Sequence, residues 1–413
     1  MISVRAILLL LSIPFAIIFN IIHTWLVGSR FRKHRGVGSN VTLLLADTVL
    51  KLPVADCQYI RISANFQIHR VLPLLHLNLV SDFPGYGQRF DNNSTWLVKN
   101  PDPDCSNAVV IYLHGGGYFI DVSPPQLESI LAAYKLTNND VQRNLSVLYL
   151  DYQLACDGHL MPYQLHQLHE TYTELVEKGY KRIILVGDSA GGNLAITYCQ
   201  YLKQIRYKLF PRHLILVSPW TKLFPEPHQH EPGQSYYDNK GKDILNYETS
   251  VNPDRMTSIV GQLENLNSLL ISPGNKKPID RNDWTEVPTF NDAGHGILVI
   301  AGEDEVLLDD ILDWCSYGLG VPEMKQFVSG TPKYEYEYVS KDPNLAKVQV
   351  YIEPMGIHDS MFVLENKVFH MISRVPALHL SDIDRDKYFG VTRVAQFLNE
   401  VAIKETPIPE VVQ

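Results

Sequence analysis

The tightest constraint on this chain lies where the apolar run Arg182-Ile183-Ile184-Leu185-Val186 enters Gly187-Asp188-Ser189-Ala190-Gly191-Gly192, followed by a proline-free stretch from Ala190 to Tyr201. A β-branched apolar run of this length reads as a buried parallel strand. The stretch after it reads as a helix. The intervening G-x-S-x-G pattern places a serine on a sharp strand-to-helix turn. Side chains two residues to either side of such a serine would collide with the adjoining strand and helix, so glycine is required at 187 and 191.

A second glycine string supplies the complementary half. His114-Gly115-Gly116-Gly117 follows the apolar run Ala108-Val109-Val110-Ile111-Tyr112-Leu113. Without β-carbons, its main-chain N–H groups can approach a substrate oxygen closely and stabilise a developing oxyanion. Either string alone arises by chance. Both together, in this order and each behind a strand, point to acyl-transfer chemistry on Ser189. The expected oxyanion donors are the N–H groups of Gly115, Gly116 and Ala190, with His114 supporting the loop.

A serine hydroxyl is a weak nucleophile and needs a base, itself oriented by an acid. On a sheet of this kind the acid and then the histidine follow the serine, each in a loop after a later strand. Gly302-Glu303-Asp304-Glu305 follows the strand Gly296 to Ala301, and Gly356-Ile357-His358-Asp359 follows the strand Lys347 to Ile352. Of fifteen histidines, His358 alone has that position. His295 precedes its strand, while His370 and His379 fall beyond the loop. Spacing alone leaves the three consecutive carboxylates Glu303, Asp304 and Glu305 open as the acid.

Elsewhere, Leu145 to Tyr152 and Leu214 to Val217 read as strands. Ser123 to Leu136, Pro162 to Lys178, Leu307 to Trp314 and Val391 to Ile403 read as helices. Alternating strands and helices predict an α/β fold with a mostly parallel sheet. Residues 225–287 are rich in Pro, Gly, Asn and Asp and read as an irregular lid or surface insertion. The expected organisation is an N-terminal anchor over 1–29, a helical lead-in and cap over 30–104, and a catalytic domain over 105–413.

A formal charge of −9 gives no electrostatic reason for a nucleic-acid partner. Cys57, Cys105, Cys156, Cys199 and Cys315 contain no C-x-x-C pair, so no zinc site is expected. The chemistry calls for no metal and no cofactor.

From Ala6 to Val27 the chain is almost continuously apolar, broken by Pro14, Asn20, His23 and Thr24. About 20 such residues span a bilayer. A cleaved signal peptide is the alternative, but its apolar region is shorter and no small-residue cleavage site closes this one. A retained anchor is therefore expected, and a buried core helix less so. Arg30, Arg32, Lys33 and Arg35 follow it, which by the positive-inside rule favours a cytosolic domain. N-x-S/T acceptors at Asn40, Asn92, Asn93 and Asn144 favour a lumenal one.

Over residues 105–400 the chain resembles the hormone-sensitive-lipase branch of α/β-hydrolases, and within it the fungal membrane-anchored steryl acetyl hydrolases. His114 to Gly117, Asp151-Tyr152 with Leu154, Gly187 to Gly192, Ser218-Pro219-Trp220 and Gly302 to Asp310 carry the likeness. The branch places its acid three residues after a glycine, with leucine two further on and aspartate two beyond. Gly302, Glu305, Leu307 and Asp309 satisfy that register, so the resemblance implies Glu305 as acid and leaves Asp304 one residue out. Two positions depart from the branch: Cys156 stands where proline is common, and the acid is Glu rather than Asp. The implied activity is hydrolysis of acetyl esters of a lipophilic alcohol, a sterol acetate foremost, at the endoplasmic reticulum membrane with a lumenal domain. Other lipid esters, an amidase, or a non-catalytic binding protein on the same scaffold are the alternatives. Receptors of the last kind typically lose a triad member.

Overall fold

The computed structural model describes residues 2–100, 107–328 and 330–403. Among the described residues ten strands form two sheets: β1 Ser94–Val98, β2 Ala108–Leu113, β3 Leu145–Leu150, β4 Arg182–Asp188, β5 His213–Val217, β6 Gly296–Gly302, β7 Lys325–Val328, β8 Thr331–Tyr334, β9 Glu337–Val339 and β10 Lys347–Glu353. The main sheet has the order β1-β3-β2-β4-β5-β6-β10-β9. Its inner strands are parallel, and β1 and β9 close the two edges antiparallel. The expected α/β architecture is the observed one. Strands β2 to β6 are almost wholly buried, which is why their sequences are continuous apolar runs instead of alternating ones.

Helices cover both faces, including Pro124–Lys135, Tyr163–Glu177, Ser189–Gln204, Leu308–Leu319 and Phe389–Val401. One apolar cluster unites Leu185, Leu194 and Val299 on one face, and another unites Val110, Val186 and Phe397 on the other.

The stretch read as a helical lead-in ends differently. β1 lies within it, because Ser94-Thr95-Trp96-Leu97-Val98 is buried along its whole length and pairs with β3. Residues 225–287 hold short helical turns and the eight-residue helix Pro253–Val260. The segment is packed: Tyr236 and Trp284 are buried in the main core. Cys105 lies outside the described residues, and the four other cysteines are buried free thiols.

The N-terminal helix α1, Val4–Leu26, is apolar and long enough to cross a membrane, with a mean hydropathy of 2.3. Beside it runs α2, Val37–Leu50. Contacts tie α1 to the rest of the chain at both ends. Ser3 N donates to Asp56 Oδ1 at 2.8 Å, and Asn40 Nδ2 donates to Thr24 Oγ1 at 3.0 Å. Ala6 is fully buried, whereas Leu11, Phe15, Phe19 and Trp25 on the outer face are exposed. Three cations of the basic flank are neutralised within the fold: Arg30 faces Asp47, Arg32 faces Asp304, and Lys33 faces Glu353.

Candidate active site

The C-terminal ends of β4, β6 and β10 deliver Ser189, Glu305 and His358 to one place. Ser189 has φ 47, the left-handed conformation of a strained elbow. Tight packing holds it there. A side chain on Gly187 would overlap the Gly191 carbonyl, and one on Gly191 would overlap the Leu113 carbonyl. These are the collisions expected from the sequence.

His358 Nε2 stands 2.9 Å from Ser189 Oγ, and His358 Nδ1 stands 2.7 Å from Glu305 Oε1. All three side chains are buried. Glu305 Oε2 accepts from Ser218 Oγ at 3.0 Å and Gly302 N at 2.9 Å. The carboxylate is thus fixed on both oxygens and presents one of them to the imidazole. Asp304 turns away to Arg32 Nε at 2.8 Å. Of the three acids left open by spacing, the fold brings Glu305 to the histidine.

Burial pushes the His358 imidazole down, but the carboxylates of Asp359 and Glu305 outweigh it and hold the ring at about 10. Asp243 adds a third carboxylate and is itself pushed up to about 6 by burial. Its Oδ1 accepts from His358 N at 3.0 Å, and its Oδ2 accepts from Val306 N at 2.9 Å. One side chain of the irregular insertion therefore pins the loops carrying both acid and base. Nothing in its local sequence distinguishes it.

The glycine loop is braced from below. His114 is buried, stacks on Tyr152 with ring centroids 4.3 Å apart, and is held neutral by burial at about 4. Tyr118 OH donates to Asn193 Oδ1 at 2.7 Å, linking this loop to the helix after the elbow. Asn193 Nδ2 donates onward to the Trp220 carbonyl at 2.9 Å. Gly116 and Gly117 line the cavity, with φ 113 and φ 61. Gly115 does not line it, and its backbone hydrogen-bonds the Asp188 carboxylate instead. Ala190 lies in the first turn of Ser189–Gln204, where N–H groups have no intrahelical acceptor.

Above these groups is a cavity of about 320 Å³, with Leu45, Val49, Phe119, Trp220, Met256 and Ile259 among its walls. Helix α2 supplies Leu45 and Val49, and the insertion supplies Met256 and Ile259. Cavities of a few hundred Å³ with mainly apolar walls and a few convergent polar groups are typical of small-molecule sites.

A group of metal-ligating type occurs among the described residues at His76, Glu128 and His370. Glu128 is already engaged there by His76 Nε2 at 2.8 Å and Asn366 Nδ2 at 2.6 Å. The cluster is a polar clasp between helices.

The family model for steryl acetyl hydrolases matches residues 86–332. A candidate steryl acetyl hydrolase of Schizosaccharomyces pombe is 29% identical over 335 residues, covering 78% of each chain. Steryl acetyl hydrolase 1 of Saccharomyces cerevisiae is 29% identical over 124 residues, 28% of this chain and 27% of that one. Among solved structures, EstE5 soaked in ethyl alcohol is similar at a TM-score of 0.53 and 18% identity, covering 87% of this chain and 98% of that one. The fold is that of the α/β-hydrolases. With the family model spanning more than half of its length, this chain belongs to the steryl acetyl hydrolase family and is a carboxylic ester hydrolase.

Proposed function

We propose that the protein is a membrane-associated serine esterase that removes short acyl groups, acetate above all, from lipophilic alcohols of the sterol class. The observation that carries this reading is the continuous hydrogen-bonded line Ser189–His358–Glu305 at the foot of an apolar cavity. His358 Nε2 removes the Ser189 proton as Oγ attacks the ester carbonyl. N–H groups of Gly116 and Ala190, with Gly117 beside them, meet the oxyanion. Glu305 fixes the ring tautomer and stabilises the imidazolium. The imidazolium then gives its proton to the leaving alcohol, and water releases the acid from Ser189.

The sterol part of this reading is supported by the names of the relatives and by the apolar cavity. Helix α1, with its exposed apolar face, supports membrane association. The helix packed beside it, α2, also walls the cavity, so the membrane contact and the substrate site are neighbours. A lumenal domain at the endoplasmic reticulum is our reading of the topology, supported by the exposure of Asn92 within its acceptor triplet. An intact serine–histidine–acid line weighs against a purely binding role.

The deciding experiment compares steryl acetates with long-chain acylglycerols on detergent-solubilised protein. Faster turnover of steryl acetates is expected. Preference for the acylglycerols would make the protein a lipase of another specificity.

A further inference from the structure

Asp359 follows the proposed base and takes no part in the line from serine to acid. Its backbone has φ 55, a conformation that L-residues with side chains seldom adopt. It occupies the N-cap position of the short helix Ser360–Leu364, where aspartate usually caps with its side chain, yet it makes no such bond. Its backbone N–H donates to Ser218 Oγ at 3.0 Å, the same hydroxyl that donates to Glu305. That contact aims the side chain at the cavity, which Asp359 lines. Oδ2 lies 3.3 Å from His358 Nε2, on the nitrogen that faces Ser189. Oδ1 is buried and has no hydrogen-bond partner among the described residues.

A buried carboxyl group with one oxygen unpaired is costly. The contact of Oδ2 with His358 leaves Oδ1 unmet, and the strained backbone adds to that cost. Such a combination persists where the group serves the chemistry.

We propose that Asp359 is a further catalytic residue that holds the hydrolytic water during release of the acyl group. This rests on the serine-esterase reading above. Once the alcohol has left, a water at Nε2 lies within hydrogen-bond reach of Oδ2, because those two atoms are only 3.3 Å apart. The water donates one hydrogen to His358 Nε2 and the other to the Asp359 carboxyl oxygen. Its oxygen attacks the acyl carbon as Nε2 takes the first proton. Collapse of the intermediate breaks the bond between the acyl carbon and Oγ, and the proton on Nε2 passes to Oγ. The second hydrogen leaves on the carboxylic acid product. Asp359 thus selects an acceptor with two hydrogens over an alcohol, which has only one.

The test uses full-length solubilised enzyme, p-nitrophenyl acetate, and methanol as a competing acceptor. Asp359→Gly suits the positive φ and removes the acceptor. With each protein assayed at its own pH optimum, so that the state of His358 is matched, it is expected to leave the acylation burst within about threefold of wild type while slowing steady-state turnover about 30-fold, the scale of loss from a mispositioned reactant. The ratio of methyl acetate to acetate should rise about tenfold, and Asp359→Asn, which keeps a carbonyl oxygen, should retain the wild-type ratio. Should Asp359→Gly fail to fold, Asp359→Ser, whose hydroxyl is too short to reach, carries the same expectation. Burst and steady state slowed equally, or an unchanged product ratio, overturns the proposal. Labelling by a fluorophosphonate separates the two readings. If wild type is labelled at Ser189 and the ratio is unchanged, only the role of Asp359 falls; if wild type is not labelled, the serine-esterase reading falls.

Discussion

Arg32, in the segment between the first two helices, places Nε 2.8 Å from Asp304 Oδ2, and so occupies the carboxylate next to the one that holds His358. Asp304 also has Lys242 at 3.8 Å. Two neighbouring acids are thereby sorted: one serves an ion pair at the edge of the domain, the other faces the imidazole. Glu305→Gln should lower turnover by about four orders of magnitude, because the amide cannot stabilise imidazolium. Asp304→Asn should change turnover less than about threefold. Steady-state assays of both variants decide, and the reverse order would make Asp304 the acid.

Ser189→Ala should remove esterase activity by roughly 10⁴ to 10⁶ while leaving the fold intact, since the small side chain keeps the backbone of the elbow. Circular dichroism checks the fold, and a fluorophosphonate probe should label wild type and not the variant. Retention of a tenth of wild-type turnover would exclude Ser189 as nucleophile.

The pH dependence follows from the carboxylates around His358. As the proposed base, His358 acts only when its imidazole is neutral. Burial favours that neutral form, but Asp359 and Glu305 together hold the ring charged up to about 10. Activity should therefore rise with pH through a value above the usual 6.5 of histidine, giving an alkaline optimum. Measuring kcat/KM against pH tests this directly. An acid limb at or below 6.5 would mean that the carboxylates are not ionised beside the ring in the free enzyme.

Much of the fold and of the candidate site's geometry was legible in the sequence, for a physical reason. Gly187 and Gly191 are forced by backbone collisions, and the buried strands β2 and β4 leave continuous apolar runs. Groups acting across long sequence separations left no such mark. Asp243 sits in an irregular segment, and its value comes entirely from the two loops it pins. Asn193 looks like any polar helix residue until Tyr118 and Trp220 are placed around it. The basic residues after α1 read as a topogenic cluster, yet Arg30, Arg32 and Lys33 are paired with acids of the folded domain. Charge counting along a chain cannot see partners supplied by the fold.

Helix α2 gives a direct handle on specificity. Leu45 and Val49 belong to the cavity wall without being near the reacting atoms in sequence. Placing a charge at the wall, as in Leu45→Asp, should raise KM for a steryl acetate about tenfold or more through lost apolar contact. Turnover of p-nitrophenyl acetate, which needs little of the wall, should stay within about threefold. Equal losses on both substrates would show that α2 supports the fold and does not select the alcohol.

Glycosylation tests the side of the membrane on which the domain lies, and the four acceptor triplets are not equivalent. Asn40 is buried, accepting from Ser29 Oγ at 2.7 Å and donating to Thr24, so a glycan there would break the contact between α1 and α2. Asn93 is half-buried, and its amide bonds Glu170 and Gln167. Asn144 is half-buried as well, with its Nδ2 bonded to the Asp140 carbonyl at 2.7 Å. Asn92 is exposed. For a lumenal domain expressed in yeast, endoglycosidase treatment should therefore produce a gel shift that Asn92→Gln reduces and Asn40→Gln does not. Absence of any shift, together with digestion of the domain by protease added to intact microsomes, would place it in the cytosol. The paired state of Arg30, Arg32 and Lys33 bears on the same outcome. Their pairing with Asp47, Asp304 and Glu353 needs the folded domain, so during insertion these cations still favour the cytosol, and a gel shift would mean that other signals outweighed them.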